Sequence, residues 1–325
     1  MSSNRSDGPV LVIGAGVIGL TTAVCLIEAG VRVRIVTAAL PQQTTSRAAS
    51  AMWGGSFLEP AAAVREWAEV GRREFQRLAA GTDTGVRIAR GTLAARQMPQ
   101  GPPPEAFPGV EILRRDSAPE GFVAAFSIAV PVVDMPRYLD YLLARFEAAG
   151  GELELRALRS LTDVAGEAPA VVNCTGIGAR DLVPDPTLHP VRGQHVIVEN
   201  PGLTDFFIDE PFGPRWTSFF PHDDQVVLGG GAEENNWSLE PDPAIAEEIV
   251  RRCAEIEPRL RDARIIEHRV GLRPTRLAVR LDEEPLGPSR CVHSYGHGGS
   301  GVALSWGCAY EVTSMLLPKA QQAVR

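Results

Sequence analysis

The hydrophobic and polar positions of the chain fall into alternating strand-like and helical stretches. PVLVIGA at residues 9–15 is apolar and β-branched, GLTTAVCLIEAG at 19–30 sets apolar residues at helical spacing and closes on Gly30, and VRVRIV at 31–36 alternates. That order predicts a βαβ unit at the start. PQQTTSRAASAMWGG at 41–55 reads as loop, and the helix predicted over 62–80 carries Val64, Trp67, Ala68, Phe75 and Leu78 on one face. Residues 81–133 then become rich in Gly and Pro, with short strand-like pieces GVRIARGTLAA and GFVAAFSIAVPVV. This change of composition marks the entry into a second domain.

Helical periodicity returns in MPRYLDYLLARFEAAGG, followed by ELELRALRSL as strand and PAVVNCTGIGARDL as a buried strand entering a glycine turn. These pieces predict a return to the first domain. From 190 to 270 the pattern is antiparallel: GQHVIVE, SFFPHDDQVVLGGG, a helix DPAIAEEIVRRCAEI with an acidic start, then ARIIEHRVGLRP. CVHSYGHGGSGVALSWGCAYEVTSMLL reads as strand, glycine-rich turn and helix. The predicted class is α/β, a nucleotide-binding domain interleaved with a mixed, largely antiparallel sheet domain. A chain that leaves and re-enters a domain sets a cleft between the two, where ligands bind.

Composition narrows the function. With 325 residues, 44% of them hydrophobic, the chain can build one or two cores and is long enough for an enzyme. A formal charge of -8 with scattered arginines argues against a nucleic-acid partner. The apolar stretch from Val10 to Leu26 is broken by glycines, and MSSNRSDG is a polar tail, so neither a membrane span nor a secretory signal is expected. Cys25, Cys174, Cys253, Cys291 and Cys308 are odd in number and never form a CxxC pair, which suits reduced thiols in the cytoplasm. The six histidines have no HExxH-like spacing, and no metal is expected.

Four motifs carry chemistry. In VIGAGVIGL, Gly14 would make the tight turn, Gly16 would admit a pyrophosphate and Gly19 would let the helix pack on its strand, with the helix N-terminus facing the anion. At the end of the second strand, where an acid usually takes ribose hydroxyls, the chain has Thr37, Ala38 and Ala39. That absence weakens NAD more than FAD, since FAD gains contacts from later segments. TTSRAASAMWGG at 44–55 is small enough for backbone to approach a cofactor, or is a surface loop. HSYGHGGSGVALSWG at 293–307 directs backbone donors to one spot, and His297 in that turn reads as structural. In RVGLRPTR, Arg273 offers a fork suited to a carboxylate, although a lone arginine is more often a solvated charge.

VIGAGVIGL, TTSRAASAMW, VVNCTGIGAR, PVRGQ, VVLGGG, GLRPTR and YGHGGSGVALSWG, in this order over nearly the whole chain, resemble the D-amino-acid oxidase family, which includes D-aspartate oxidases. The resemblance implies a Rossmann-type FAD-binding domain from 8–48, 136–190 and 271–325. The substrate-binding domain would comprise 49–135 and 191–270, with a lid near 207–218. Gly14, Ala15, Gly16, Val17, Ile18 and Gly19 would hold the pyrophosphate, with Thr37 and Ala38 on the adenosine side and Leu158 against adenine. Thr44, Thr45, Ser46, Ser50, Ala51 and Met52 would line the flavin. Cys174, Thr175 and Gly176 would meet the cofactor at the second glycine turn, and Gly298, Gly299, Ser300, Gly301, Val302 and Ala303 at the ring. Arg273, the catalytic residue, would hold the substrate carboxylate beside the flavin. Gly299 would receive the substrate amine, with Trp53, Ser218 and Ser300 completing the substrate site.

The implied reaction passes a hydride from Cα of a D-amino acid to flavin N5; the imino acid hydrolyses to a 2-oxo acid and ammonia, and dioxygen returns as hydrogen peroxide. Placement rather than acid–base chemistry is the protein's main part. Two departures stand out: Ser218 replaces the tyrosine usual near the carboxylate arginine, and Ala232 stands where D-aspartate oxidases use an extra arginine. In the lid, Asp209 and Glu210 would suit a cationic side chain and Arg215 an acidic one, unless they are solvated loop charges, the preferred reading. The alternatives are a glycine- or sarcosine-type or biosynthetic amine oxidase, an NAD-dependent dehydrogenase, and a nucleotide-binding module without catalysis. Homodimerisation is left open.

Overall fold

A computed structural model describes residues 8–54, 56, 58–97, 111–116, 120–209 and 214–317. In chain order its strands are β1 Val10–Ile13, β2 Val33–Thr37, β3 Ala51–Met52, β4 Val86–Ala95, β5 Glu111–Asp116, β6 Ala124–Val133, β7 Glu152–Leu155 and β8 Ala170–Asn173. They continue with β9 His189–Glu199, β10 Phe206–Asp209, β11 Arg215–His222, β12 Gln225–Gly231, β13 Glu233–Glu234, β14 Ile265–Leu286 and β15 Ser289–His297. The α-helices are α1 Val17–Glu28, α2 Ala61–Ala79, α3 Met135–Ala148, α4 Ala179–Leu182, α5 Pro243–Ile256 and α6 Gly301–Leu316.

One hydrogen-bonded sheet runs β3-β6-β4-β10-β11-β12-β9-β14-β15-β8-β1-β2-β7, with β5 on β6 and β13 on β9. From β15 to β7 every pairing is parallel. On the other side only β4 and β10 pair in parallel; the remaining pairs are antiparallel. β14 belongs to both halves. Its first part, to Thr275, pairs with β9, and from Thr275 onward it pairs with β15, with a register shift between Thr275 and Arg280. The domain boundary expected at 270/271 falls inside this strand.

The parallel half is covered on one face by α1, α3 and α6, which pack Leu20, Val24, Leu139, Leu142, Phe146, Trp306 and Val312 against Val10, Val12 and Ile35. Both faces of such a sheet must be buried, which is why β1 and β8 read as continuous apolar runs. α2 buries the face expected of it, Val64, Trp67, Ala68, Phe75 and Leu78. Each large side chain there contributes about 1.5–3 kcal/mol of transfer free energy. In the antiparallel half the alternation is strict. Val196, Val198, Phe219 and Leu228 face α5 through Ala246, Ile249 and Cys253, while the intervening residues face the other way, Ile197 and Val227 into a second apolar cluster and His195, Ser218 and Phe220 toward a cavity.

Two stretches differ from the sequence reading. The loop 41–55 contains 3₁₀ turns at Pro41–Gln43 and Thr45–Ala48 and the short β3. Side chains drive the first turn locally: Gln43 accepts from the Leu40 amide at 3.1 Å, and Thr44 Oγ1 donates to the Pro41 carbonyl at 2.7 Å. ELELRALRSL is strand only over Glu152–Leu155, because Ser160 and Asp163 cap a following turn. Glu210 and residues 211–213 of the expected lid lie outside the described residues.

Candidate active site

A cavity of about 820 Å³ extends from the N-terminus of α1, past β8 and the 44–52 segment, to the antiparallel wall and the turn before α6. At its first end the backbone does the shaping. Gly14 has φ +102°, and a Cβ there would sit 2.6 Å from the Cys174 carbonyl oxygen; a Cβ on Gly19 would overlap the Gly14 carbonyl. Only glycine allows β1, β8 and α1 to meet this closely. The Val17 amide donates to Ser46 Oγ at 2.9 Å, so the first turn of α1 is capped from the 44–52 segment rather than from its own N-cap, Gly16. Burial pushes the Cys174 thiol up to about 12, so it stays protonated.

The far side of this end is apolar. Ile13, Val36, Ala38, Ala39, Leu158 and Leu182 line it, and Thr37 Oγ1 is turned to the Ala39 carbonyl at 2.8 Å. Arg156 is engaged by Glu154 at 3.0 Å and Glu167 at 2.9 Å. Where an acid was expected, the structure has a slot for a flat apolar face.

The other end is built from alternating side chains. Val191, Gly193 and His195 of β9, Trp216, Ser218 and Phe220 of β11, Ile208 of β10, and Gly271 and Arg273 of β14 share one face of the sheet. Arg273 Nη1 donates to the Gly231 carbonyl at 3.0 Å, and a Cβ on Gly193 would lie 2.6 Å from Nη2, so the guanidinium rests on bare backbone. Its Cζ is 5.9 Å from the Trp216 ring centre. Desolvation pulls its pKa below the ordinary arginine value. Among the described residues it has no carboxylate partner, and no Asp or Glu lines the cavity. A desolvated, unpaired guanidinium calls for an anion. Gly299 approaches the same side chain, its Cβ position 3.7 Å from Arg273 Cδ.

Of the expected site residues, Gly14, Ala15, Gly16, Val17, Ile18, Thr37, Ala38, Thr44, Thr45, Ser46, Ser50, Met52, Leu158, Cys174, Thr175, Gly176, Ser218, Arg273, Gly298, Gly299, Ser300, Gly301 and Val302 line this one cavity. Gly19, Ala51, Trp53 and Ala303 do not. Gly19 acts behind the cradle, and Ala51 and Ala303 are buried in the helical core. Trp53 is 4% exposed and its Nε1 donates to the Ala68 carbonyl at 2.8 Å, which turns the indole toward α2 and away from the cavity. Of the lid charges, Asp209 and Arg215 are not in the cavity either. Asp209 accepts from the Thr217 amide at 2.7 Å and from Arg96, and Arg215 pairs with Glu248.

Sequence reasoning missed His195 and Phe220, and took in Ile208 and Trp216 only as part of the lid near 207–218. The signal was present as period-two alternation along VRGQHVIV and RWTSFF, but only the register decides which alternate set faces the cavity. His297, read as structural, also lines the cavity; its Nε2 has no partner among the described residues, and burial lowers its pKa to about 4. Among the described residues no His, Cys, Asp or Glu cluster could hold a metal ion, and no helix is long and apolar enough to cross a membrane.

The residues fit FAD: an amide cradle without carboxylates for a pyrophosphate, an apolar slot for adenine, and a long groove walled by small residues. The comparisons with known proteins agree. Residues 9–315 match the model of the DAO family, FAD dependent oxidoreductase. D-amino-acid oxidases of Rubrobacter xylanophilus and Streptomyces coelicolor are 47% and 45% identical, covering 94% of both chains in the first case and 96% of this chain and 98% of the relative in the second. Among solved structures, the fold is similar to glycine oxidase from Geobacillus kaustophilus, with a TM-score of 0.78, 19% identity, and 95% and 94% of the two chains covered. The chain therefore belongs to the DAO family of FAD-dependent oxidoreductases.

Proposed function

We propose that the protein oxidises D-amino acids to 2-oxo acids, releasing ammonia and hydrogen peroxide. The observation that carries this reading is Arg273, a desolvated guanidinium with no carboxylate partner among the described residues, in a cavity that also contains the nucleotide cradle. FAD, when bound, supplies the two-electron oxidation at the substrate Cα and the return of those electrons to dioxygen. The residues of the chain do the rest. Gly14 to Ile18 hold the pyrophosphate, the 44–52 segment and Gly298 to Val302 flank the ring, and Arg273 binds the substrate carboxylate through its fork.

The substrate amine must be neutral to release electron density. No carboxylate of the described residues lines the cavity and Arg273 is near, which lowers the pKa of an ammonium there and favours the amine. The Gly299 carbonyl receives the amine N–H and Ser218 Oγ supplements Arg273. Among the described residues Ile208, Trp216 and Phe220 offer apolar surface for the side chain, which supports neutral substrates over acidic or cationic ones. The domain division stated above, with 8–48, 136–190 and 271–325 around the cofactor, belongs to the same proposal. Five free cysteines support a reducing, cytoplasmic location.

The test is anaerobic addition of a D-amino-acid panel to the yellow holoenzyme. Bleaching by D-Ala, D-Met or D-Phe and none by the L-enantiomers is expected. A flavin left oxidised by the whole panel would falsify the reading. Faster reduction by glycine or N-methylglycine than by D-Ala would move the protein to the glycine-oxidase type.

A further inference from the structure

His195 is a buried imidazole on the cavity wall that nothing in the reaction so far requires. Its Nδ1 lies 2.7 Å from the Ala48 carbonyl oxygen and its Nε2 3.1 Å from Ser50 Oγ. A carbonyl oxygen only accepts, so Nδ1 carries the proton, Nε2 presents its lone pair, and the Ser50 hydroxyl donates to it. Burial and the nearby Arg273 and Arg269 keep the ring neutral, with a pKa lowered to about 4. The ring leans across β12: a Cβ on Gly229 would collide with His195 Cδ2 and lie 2.8 Å from Nε2 and 3.4 Å from Ser218 Oγ. The imidazole therefore occupies the space beside Ser218, in the row where a larger side chain at 218 would lie.

The two ends of this ring belong to different parts of the site. His195 sits on the same face of β9 as Gly193, on which the Arg273 guanidinium rests. Ala48 ends the second 3₁₀ turn, and Ser50 lies between that turn and β3. The turn is held separately, by the Arg47–Glu267 ion pair at 3.0 Å and by packing of Thr45 and Ala48 on Gly271. Among the described residues, His195 alone hydrogen-bonds the Ser50 side chain.

We propose that His195 is a positioning residue that sets the distance between the Arg273 carboxylate clamp and the 44–52 segment along the flavin, through its paired bonds to Ala48 and Ser50. This rests on the reading that residues 44–52 flank the flavin ring. A misplacement of reacting groups by about 1 Å costs on the order of 10²-fold in rate. Removing the strut affects the reductive step more than the binding of either ligand.

The experiment compares wild type with H195L, H195N and S50A. Asparagine can still donate to Ala48, and S50A keeps the imidazole and its Ala48 bond while losing the second. Three quantities are read: FAD affinity of the apoprotein by flavin fluorescence, the visible difference spectrum and Kd for benzoate as a simple carboxylate, and the anaerobic rate of flavin reduction by D-Ala. For H195L the expected result is reduction about 10²-fold slower, with FAD and benzoate affinities within about threefold of wild type and an altered benzoate difference spectrum. H195N should recover most of the rate, and S50A, which removes one of the two bonds, should fall between H195L and wild type. An H195L enzyme with unchanged rate and spectrum overturns the proposal. So does a parallel loss of FAD binding, thermal stability and rate that H195N does not relieve, since that marks a structural role only. If no D-amino acid reduces even the wild type, the proposed function fails, while the benzoate spectra of the variants still decide the role of His195.

Discussion

The cradle at α1 and the wall formed by β9, β10, β11 and β14 close the same cavity by different means. The cradle is made of backbone brought close by absent side chains, Gly14 and Gly19 above all. The wall is made of side chains, Arg273, His195, Ser218, Trp216, Ile208 and Phe220, projecting from four separate strands, three of them consecutive and the fourth, β14, later in the chain. A backbone site is specified locally by what is missing from a few consecutive residues. A side-chain site is specified by register, so neighbours across the wall share no motif.

Replacing side chains on the wall should abolish turnover while sparing the cradle. Arg273→Leu removes one partner of a desolvated charge pair, a loss of about 3–5 kcal/mol. The expectation is a fall of roughly 10²- to 10⁴-fold in kcat/KM for D-Ala with FAD content retained. An Arg273→Leu enzyme with wild-type kcat/KM would remove the carboxylate clamp from the mechanism.

Acid should act next, on the wall through His195 and on the rest of the fold through His222 and His297. His195, His222 and His297 are each held neutral by burial, with pKa values lowered to about 4 from 6.5. Between those values the unfolded chain binds more protons than the folded one, so stability is constant above pH 6.5 and falls as pH drops toward 4. Each histidine contributes up to about 1.4 kcal/mol per pH unit in that window. Denaturant midpoints that stay level from pH 7 to pH 4.5 would contradict the neutral assignment.

The cradle should respond to bulk rather than charge. Gly19→Ala puts a methyl into the Gly14 carbonyl and must push α1 from β1. A cost of about 1–3 kcal/mol is expected, read as a lower Tm and weaker FAD affinity, with the KM for D-Ala little changed in the loaded enzyme. The smallest effect belongs to Ser46→Ala, which deprives the Val17 amide of its partner. About 1 kcal/mol is expected from loss of such a cap, measurable as a few-fold rise in the FAD dissociation constant.

Legibility followed the same division. The βαβ opening, the α2 face and the helix at 135–148 were readable because apolar spacing reports local burial directly. Arg273 was readable only through family resemblance, since nothing in GLRPTR distinguishes it from Arg276, which pairs with Asp185. Trp53 was expected beside the substrate because of its place in TTSRAASAMW. Alternation along β3 and packing on α2 send its indole into the core instead. His195 carried no local signal, as a histidine inside GQHVIVE reads like any residue of a strand.

The amino-acid sequence alone determined the α/β class, the glycine cradle and the absence of an acid at Thr37 to Ala39, because these depend on spacing within a few residues. Only the tertiary structure decided which face of each strand meets the cavity, that Asp209 and Arg215 turn away from it, and that His195 fills the space beside Ser218. Those outcomes depend on pairing between strands such as β9, β12 and β14. A shift of one residue in that pairing would have presented the opposite set of side chains.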